Sequence, residues 1–230
     1  MKIHYFIGNW DFIVGVMRLE DSDLVHQLNN VLKLHINEKI FLGDGKGCRA
    51  EAVIKNIDKK SVVVEIVEIK SVAPSKRKVN LFCSVLKREN FEWIVEKTTE
   101  TGVNEIIPLI TERTVKHDLN LVRLQKIAKE AAEQSGRFFV PSVLSPLRLD
   151  EALKIYGDKF SNLLCNFGGS ELKNIKTNSQ IGIWVGPEGG WSEEELEEIN
   201  DFKFKIVSLG ENILRAETAA VVGVWAASNI

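Results

Sequence analysis

Trp184-Val185-Gly186-Pro187-Glu188-Gly189-Gly190-Trp191-Ser192-Glu193-Glu194-Glu195-Leu196, followed after a short gap by Val207-Ser208-Leu209-Gly210-Glu211-Asn212-Ile213-Leu214-Arg215-Ala216-Glu217-Thr218-Ala219-Ala220, is the stretch that organises the chain. Each half is a short apolar strand (Ile181 to Val185, then Lys205 to Leu209) that runs into a glycine-containing loop and a helix signal. Ligands of open α/β sheets bind at the carboxyl ends of strands, where such loops sit. Two of these units so close in sequence predict one binding site built from both loops.

In the first loop, glycines let the backbone approach a ligand and expose its N–H groups, while Pro187 stiffens the turn. Ser192 and Glu195 form an S-x-x-E capping box for the next helix. No Lys-Ser/Thr follows the glycines, so this is not a phosphate loop. The residues alone leave two readings open, a tight strand-to-helix turn and a ligand loop. The other glycine cluster, Gly43-Asp44-Gly45-Lys46-Gly47, opens no helix and reads as a hairpin turn.

The second loop places Arg215 directly before a helix, Ala216 to Ala227, lined with Ala216, Ala219, Ala220, Gly223, Ala226 and Ala227. Small residues permit close approach, which predicts a helix buried in a packed core or at a subunit interface. An unpaired buried charge is costly, so Arg215 either faces a cleft or pairs with Glu217 or Glu211.

Working outward, residues 79–230 alternate strand and helix signals. Val79 to Leu86, Asn104 to Ile110 and Asn162 to Phe167 read as strands. Phe91, Ile94, Val95 and Thr98 mark a helix that stops near Gly102. Asp118 to Ser135 is a long helix, with Leu121, Leu124, Ile127, Ala128, Ala131 and Ala132 on one face, and Asp150 to Tyr156 is a shorter one. The alternation predicts a mainly parallel sheet covered by helices. Residues 1–70 are β-rich instead: Cys48, Ala50, Ala52 and Ile54 alternate with Arg49, Glu51, Val53 and Lys55, and Ser61 to Ile69 is dense in Val and Ile. Short strands with tight turns predict a small barrel, interrupted by one helix capped by Asp21 or Ser22 and carrying Leu24, Leu28, Val31 and Leu32. Residues 71–78, Ser-Val-Ala-Pro-Ser-Lys-Arg-Lys, read as a linker.

Composition narrows the classes. The chain has 230 residues, is 44% hydrophobic and has a formal net charge of -2, so any contact with nucleic acid needs a local basic patch. No segment approaches the roughly 18 apolar residues of a membrane span, and the N-terminal stretch has no signal-peptide core. Three scattered cysteines, Cys48, Cys83 and Cys165, with no C-x-x-C pair, predict neither a metal site nor a disulfide framework. A reduced, cytoplasmic compartment is expected.

The pair V-G-P-E-G-G-W-S-E-E-E and S-L-G-E-N-I-L-R-A-E-T-A-A resembles the signature of the RsmE family. These are knotted (SPOUT-class) methyltransferases that act on N3 of a uridine in 16S ribosomal RNA. Trp93 to Val103, Thr111-Glu112-Arg113-Thr114, Glu130 to Arg137, and His26 ahead of Val31-Leu32-Lys33 are similar too, so the resemblance covers nearly the whole chain. It implies an N-terminal PUA-like barrel for RNA binding (1–70), the linker (71–78) and a C-terminal α/β domain with a deep trefoil knot (79–230). It also implies a homodimer packed around the knot. S-adenosylmethionine is expected against Leu164, Gly186, Pro187, Glu188, Gly189, Gly190, Leu209, Gly210, Ile213, Leu214 and Thr218. Lys33, Lys87, Arg88, Lys97, Arg113 and Arg137 are the expected RNA contacts, made to 16S ribosomal RNA free or in the small subunit. Lys33 stands where the family usually has arginine, Trp191 where it often has phenylalanine, Asn212 where a basic residue is common, and His4-Tyr5-Phe6 where many relatives begin Arg-Phe-Phe.

Uridine N3 is poorly nucleophilic until its proton leaves, so the reaction calls for stabilisation of the uridine anion and a proton acceptor. Arg215 suits the first task, being permanently charged. Glu188 or Glu217 suits the second. An RNA-binding protein without catalysis, and a sister enzyme acting on another RNA, are the competing readings.

Overall fold

The computed structural model describes residues 4–114, 118–172 and 175–229. The chain forms two compact units: one runs to Pro74 and takes in Ala132–Val140, and the other covers Ser75–Ala131 and continues from Pro141.

The first unit is built on β1 (His4–Ile7), β2 (Gly15–Leu19), β3 (Lys39–Gly43), β4 (Cys48–Ile57) and β5 (Val62–Ser71). The spatial order is β1-β3-β4-β5-β2, with β1 parallel to β3 and the other pairings antiparallel. Alternation along β4 buries Ala50, Ala52 and Ile54 completely. The β3–β4 hairpin is closed by Asp44, whose Oδ1 accepts from the N–H groups of Lys46 (2.7 Å) and Cys48 (2.9 Å). Asp21, not Ser22, caps α1 (Ser22–His26) by accepting from Leu24 N–H at 2.9 Å. The helix then widens into one π turn, Gln27–Val31, closed by Leu32 N–H to Gln27 O at 2.9 Å. That extra residue in the turn corrects the expected helix face. Leu24 and Leu28 are buried, but Val31 is rotated off the face and is 63% exposed.

The second unit holds β6 (Lys78–Ser84), β7 (Glu105–Ile110), β8 (Ser142–Val143), β9 (Leu147–Arg148), β10 (Ser161–Glu171), β11 (Gln180–Val185) and β12 (Lys205–Ser208). The order is β12-β10-β11-β6-β7-β8, with β9 also against β7, and every pairing is parallel. The sheet is accompanied by α2 (Arg88–Thr101), α3 (Leu121–Ser135, of which the residues up to Ala131 belong to this unit), α4 (Leu149–Tyr156), α5 (Glu193–Asn200) and α6 (Ala216–Asn229). Helix α2 buries Phe91, Ile94, Val95 and Thr98 and ends on Gly102 at φ +112°, a left-handed position that glycine adopts without penalty. Helix α3 begins at Leu121 rather than Asp118, because Asn120 Oδ1 accepts from Arg123 N–H at 3.0 Å and caps it there.

Trp184 is the centre of this unit's core. Its ring lies 4.1 Å from that of Phe82 at 5°, and its Nε1 donates to Asn162 Oδ1 at 2.8 Å. The strand order has a consequence for α6. Strand β11 is laid between β10 and β6, β12 is added outside β10, and α6 then returns to pack on β11, β6 and α2. Its small-residue face is consumed there: Ala216, Ala219, Ala220, Gly223 and Ala227 are buried. A Cβ on Gly223 would stand 3.0 Å from Ile183 Cγ2. Packing within the chain therefore accounts for that stripe.

Candidate active site

A cavity of about 400 Å³ opens at the carboxyl ends of β10, β11 and β12. Three segments wall it. From β10 come Cys165, Asn166 and Phe167, where the pairing with β12 breaks register between Cys165 and Ser170. The break throws Phe167 outward, leaving it 68% exposed. From the loop after β11 come Gly186, Pro187, Glu188, Gly190 and Trp191, and from the loop after β12 come Leu209, Gly210, Asn212, Ile213, Leu214 and Arg215.

Local chemistry sets each loop. Gly190 N–H donates to Pro187 O at 2.8 Å, and Gly190 sits at φ +71°. A Cβ on Gly186 would lie 2.9 Å from Trp191 Nε1, so glycine is what lets this backbone lie against the indole. The Trp191 Nε1 is itself buried with no hydrogen-bond partner among the described residues. The capping box at the start of α5 forms: Glu195 N–H donates to Ser192 Oγ at 3.3 Å and Ser192 N–H to Glu195 Oε2 at 2.9 Å. In the second loop Gly210 adopts φ +139°, and Ser208 Oγ donates to Gly210 O at 2.8 Å.

A fourth segment joins them. After β7, Thr111 N–H donates to Thr114 Oγ1 at 2.9 Å, closing a tight buried turn. Glu112 N–H donates to the other oxygen of Glu195, Oε1, at 2.8 Å. Arg113 Nη1 donates to Gly189 O at 2.6 Å. The turn after β7 is thus fastened at two points, to the loop after β11 through Gly189 and to the first turn of α5 through Glu195.

The structure brings together Gly186, Pro187, Glu188, Gly190, Leu209, Gly210, Ile213, Leu214 and Arg215, all on the lining. Leu164, 1% exposed, belongs instead to the aromatic core around Trp184, and the wall starts one residue later at Cys165. Gly189 faces Arg113, and Thr218 and Glu217 lie in the first turn of α6, off the lining. Arg215 is exposed and forms no ion pair with Glu217 or Glu211 among the described residues. Burial pushes the Cys165 thiol up to about 12. The Cys83 thiol is raised as well, by burial first and then by Cys165, Glu188 and Glu217. Both therefore stay protonated and are unsuited to act as nucleophiles.

The expected RNA contacts divide between the units. Lys33, at φ +52°, and Arg137, whose pKa burial lowers, are in the first. In the second, Arg88 is held by Glu92 at 2.9 Å, Lys97 by Glu96 and Glu100 at 2.8 Å each, and Arg113 by Gly189. Lys87 is exposed at the N-cap of α2. No cluster of metal-ligating side chains exists among the described residues.

Sequence reasoning missed three features. The β10 bulge with Asn166 and Phe167 was signalled only by Gly168-Gly169. The bond from Glu112 to Glu195 joins residues 83 apart, which no local pattern reveals. The orphaned Trp191 Nε1 depends on packing alone.

A family model described as an RNA methyltransferase domain matches residues 73–228, and one described as an RNA methyltransferase PUA domain matches residues 19–67. Ribosomal RNA small subunit methyltransferase E of Rickettsia conorii is 33% identical over 217 residues, spanning 90% of this chain and 87% of the relative. The chain belongs to the ribosomal RNA small subunit methyltransferase E family. A Synechocystis member is 35% identical over 208 residues, covering 86% of this chain and 68% of its own. A solved member of the methyltransferase E family, from Neisseria gonorrhoeae and bound to S-adenosyl methionine, superimposes with TM-score 0.88 at 32% identity. That match covers 97% of this chain and 95% of the other. A Legionella pneumophila structure in complex with the same cofactor reaches TM-score 0.89 at 25% identity, covering 99% and 98%.

Proposed function

We propose that this chain transfers the methyl group of S-adenosylmethionine to N3 of one uridine in 16S ribosomal RNA. The observation that carries this reading is the cavity at the ends of β10, β11 and β12, where Arg215 stands as a cation without an ion-pair partner among the described residues. Membership of the methyltransferase E family supports the substrate, and the two neighbours solved with the donor support the cofactor.

The residues present fit the donor. Trp191 Nε1 is an unused buried donor at the wall, Leu209, Ile213 and Leu214 offer apolar surface, and the glycines at 186, 190 and 210 let a ligand approach the backbone closely. Leu164 supports the wall from behind, and Gly189 and Thr218 act at its edges. S-adenosylmethionine, when bound, supplies a methyl group already activated by its sulfonium. Arg215 stabilises the negative charge that develops on the uracil as N3 loses its proton. Glu188, on the lining, accepts that proton directly or through one water. Glu217, in the first turn of α6, contributes its charge to the helix N-terminus rather than to the uracil.

Three further features belong to this reading. A trefoil knot is supported by the path of the chain, in which the loops after β11 and β12 wall one cavity and α6 doubles back onto β11 and β6. A homodimer is supported by Trp225, 57% exposed on α6 while the opposite face is buried on its own sheet. A cytoplasmic site of action follows from the substrate and accords with three free cysteines. Lys33, Lys87, Arg88, Lys97, Arg113 and Arg137 are the candidate phosphate contacts, which position RNA rather than read it.

Mass mapping of modified uridines in ribosomal RNA from cells lacking this protein tests the reading. Loss of a single N3-methyluridine is the expected result, and an unchanged 16S pattern overturns it.

A further inference from the structure

The cavity at the ends of β10, β11 and β12 divides by depth. Val185, Trp191, Val207, Ala216 and Ala219 are buried and form its floor, whereas Phe167, Glu188, Asn212, Ile213 and Arg215 are exposed at its mouth. Phe167 is the large aromatic side chain of that mouth, and it stands 68% exposed. An isolated phenyl ring left in water forgoes the free energy of its burial.

The backbone holds the ring there. Cys165 and Ser170 both register on Val207 of β12, so Asn166 to Gly169 are looped out of the sheet between them. Phe167 N–H donates to Asn166 Oδ1 at 2.9 Å, and Gly168 turns the chain at φ +79°. A Cβ on Gly169 would stand 2.7 Å from the backbone of Ile206 and Val207, so glycine is what lets the returning strand lie against β12. Irregularities of this kind re-aim side chains beside active sites.

Arg215 and Glu188, which serve uridine N3, lie on the same rim as Phe167. Those two address the edge of a base and leave its faces unheld. A base taken out of an RNA stack loses its neighbours, and enzymes that act on one hold it between aromatic or apolar side chains. Phe167 from the β10 excursion and Ile213, 85% exposed in the loop after β12, are the exposed apolar side chains of the mouth.

We propose that Phe167 stacks on the face of the target uracil, with Ile213 as a second apolar contact, and so fixes the ring with N3 towards the methyl donor. The residue then selects for an unstacked base and positions it, while the floor and the glycine loops hold S-adenosylmethionine. The proposal rests on the reading of this cavity as the site of uridine N3 methylation.

The test uses the full chain with F167A, F167L and F167Y, each measured for methyl transfer to a 16S RNA fragment, calorimetric affinity for S-adenosylmethionine, melting temperature and sedimentation. F167A and F167L are expected to lower kcat/KM for the RNA about 5- to 150-fold, the range for loss of one base–aromatic stack. F167Y keeps the ring and should stay close to wild type. Donor affinity without RNA, melting temperature and sedimentation should be unchanged in all three, because the ring is exposed. Wild-type kcat/KM in F167L overturns the proposal, since leucine keeps the apolar bulk and lacks only the π face. Donor affinity that falls when the ring is lost overturns it in favour of the donor's adenine as the occupant, and altered sedimentation in favour of a second copy of the chain. Should the wild type fail to methylate 16S RNA, the functional reading falls. The affinities of wild type and F167L for a single strand carrying the uridine, against the same strand abasic at that position, still decide whether the ring stacks on a base.

Discussion

Glu195 Oε1 accepts the backbone N–H of Glu112 at 2.8 Å, while its other oxygen accepts the N–H of Ser192. One buried carboxylate, 7% exposed, therefore caps α5 and fastens the turn after β7 to the first turn of that helix. Removing it leaves the buried Ser192 N–H and the part-buried Glu112 N–H without acceptors. Glu195→Ala is expected to lower stability by about 1–3 kcal/mol, read from the urea midpoint at unchanged m-value.

Arg215 bears on chemistry rather than on folding, since it is exposed and makes no ion pair among the described residues. Arg215→Ala is expected to leave the melting temperature and the calorimetric affinity for S-adenosylmethionine near wild type. Methyl transfer should drop by orders of magnitude, as when a charge-stabilising donor is lost from an active site. Retained activity would assign Arg215 a structural role.

Gly186 is constrained by contact, not by dihedral angle. An added Cβ meets the Trp191 indole at 2.9 Å, and both residues line the cavity. Gly186→Ala is expected to displace that ring and weaken donor binding about tenfold, or about 1.4 kcal/mol, measured by calorimetry. An affinity equal to wild type would show that the ring yields without cost to the site.

Glu92 gives a pH signature. Arg123 binds it through Nε at 2.6 Å and Nη2 at 2.8 Å, and Arg88 binds it at 2.9 Å. These bonds, Arg123 first, hold its carboxyl down at about 2. The folded-state pKa is depressed, so the stabilisation is present above the ordinary carboxylate range and is lost as pH falls from about 4.5 towards 2. Glu92→Gln is expected to melt lower than wild type at pH 7, with the gap closing near pH 2 to 3. The effect should be small because the arginines are exposed and solvent-screened.

Much of the architecture is local and was legible. The period of Cys48 to Lys55, the Asp44-Gly45 hairpin, the Gly102 stop and the Ser192–Glu195 box all form as their residues predict. Each depends on neighbours within a few positions. Where locality ended, so did the reading. Val31 has helical spacing yet is exposed, because a π turn shifts its angle. The α6 stripe suggested either a core or a partner surface, and its burial on β11 and β6 is decided by the return of the chain after β12.

The same division runs through the site. By itself the sequence determined that two glycine loops follow two strands and that an arginine precedes the closing helix, since these are features of residue type and order. Only the tertiary structure decided that Arg215 stays unpaired among the described residues, that Leu164 lies behind the wall while Phe167 stands out from it, and that Glu195 reaches Glu112. Distances between residues far apart in sequence follow from how strands are ordered in the sheet. That order is fixed by burial of the whole core at once, not by any stretch read alone.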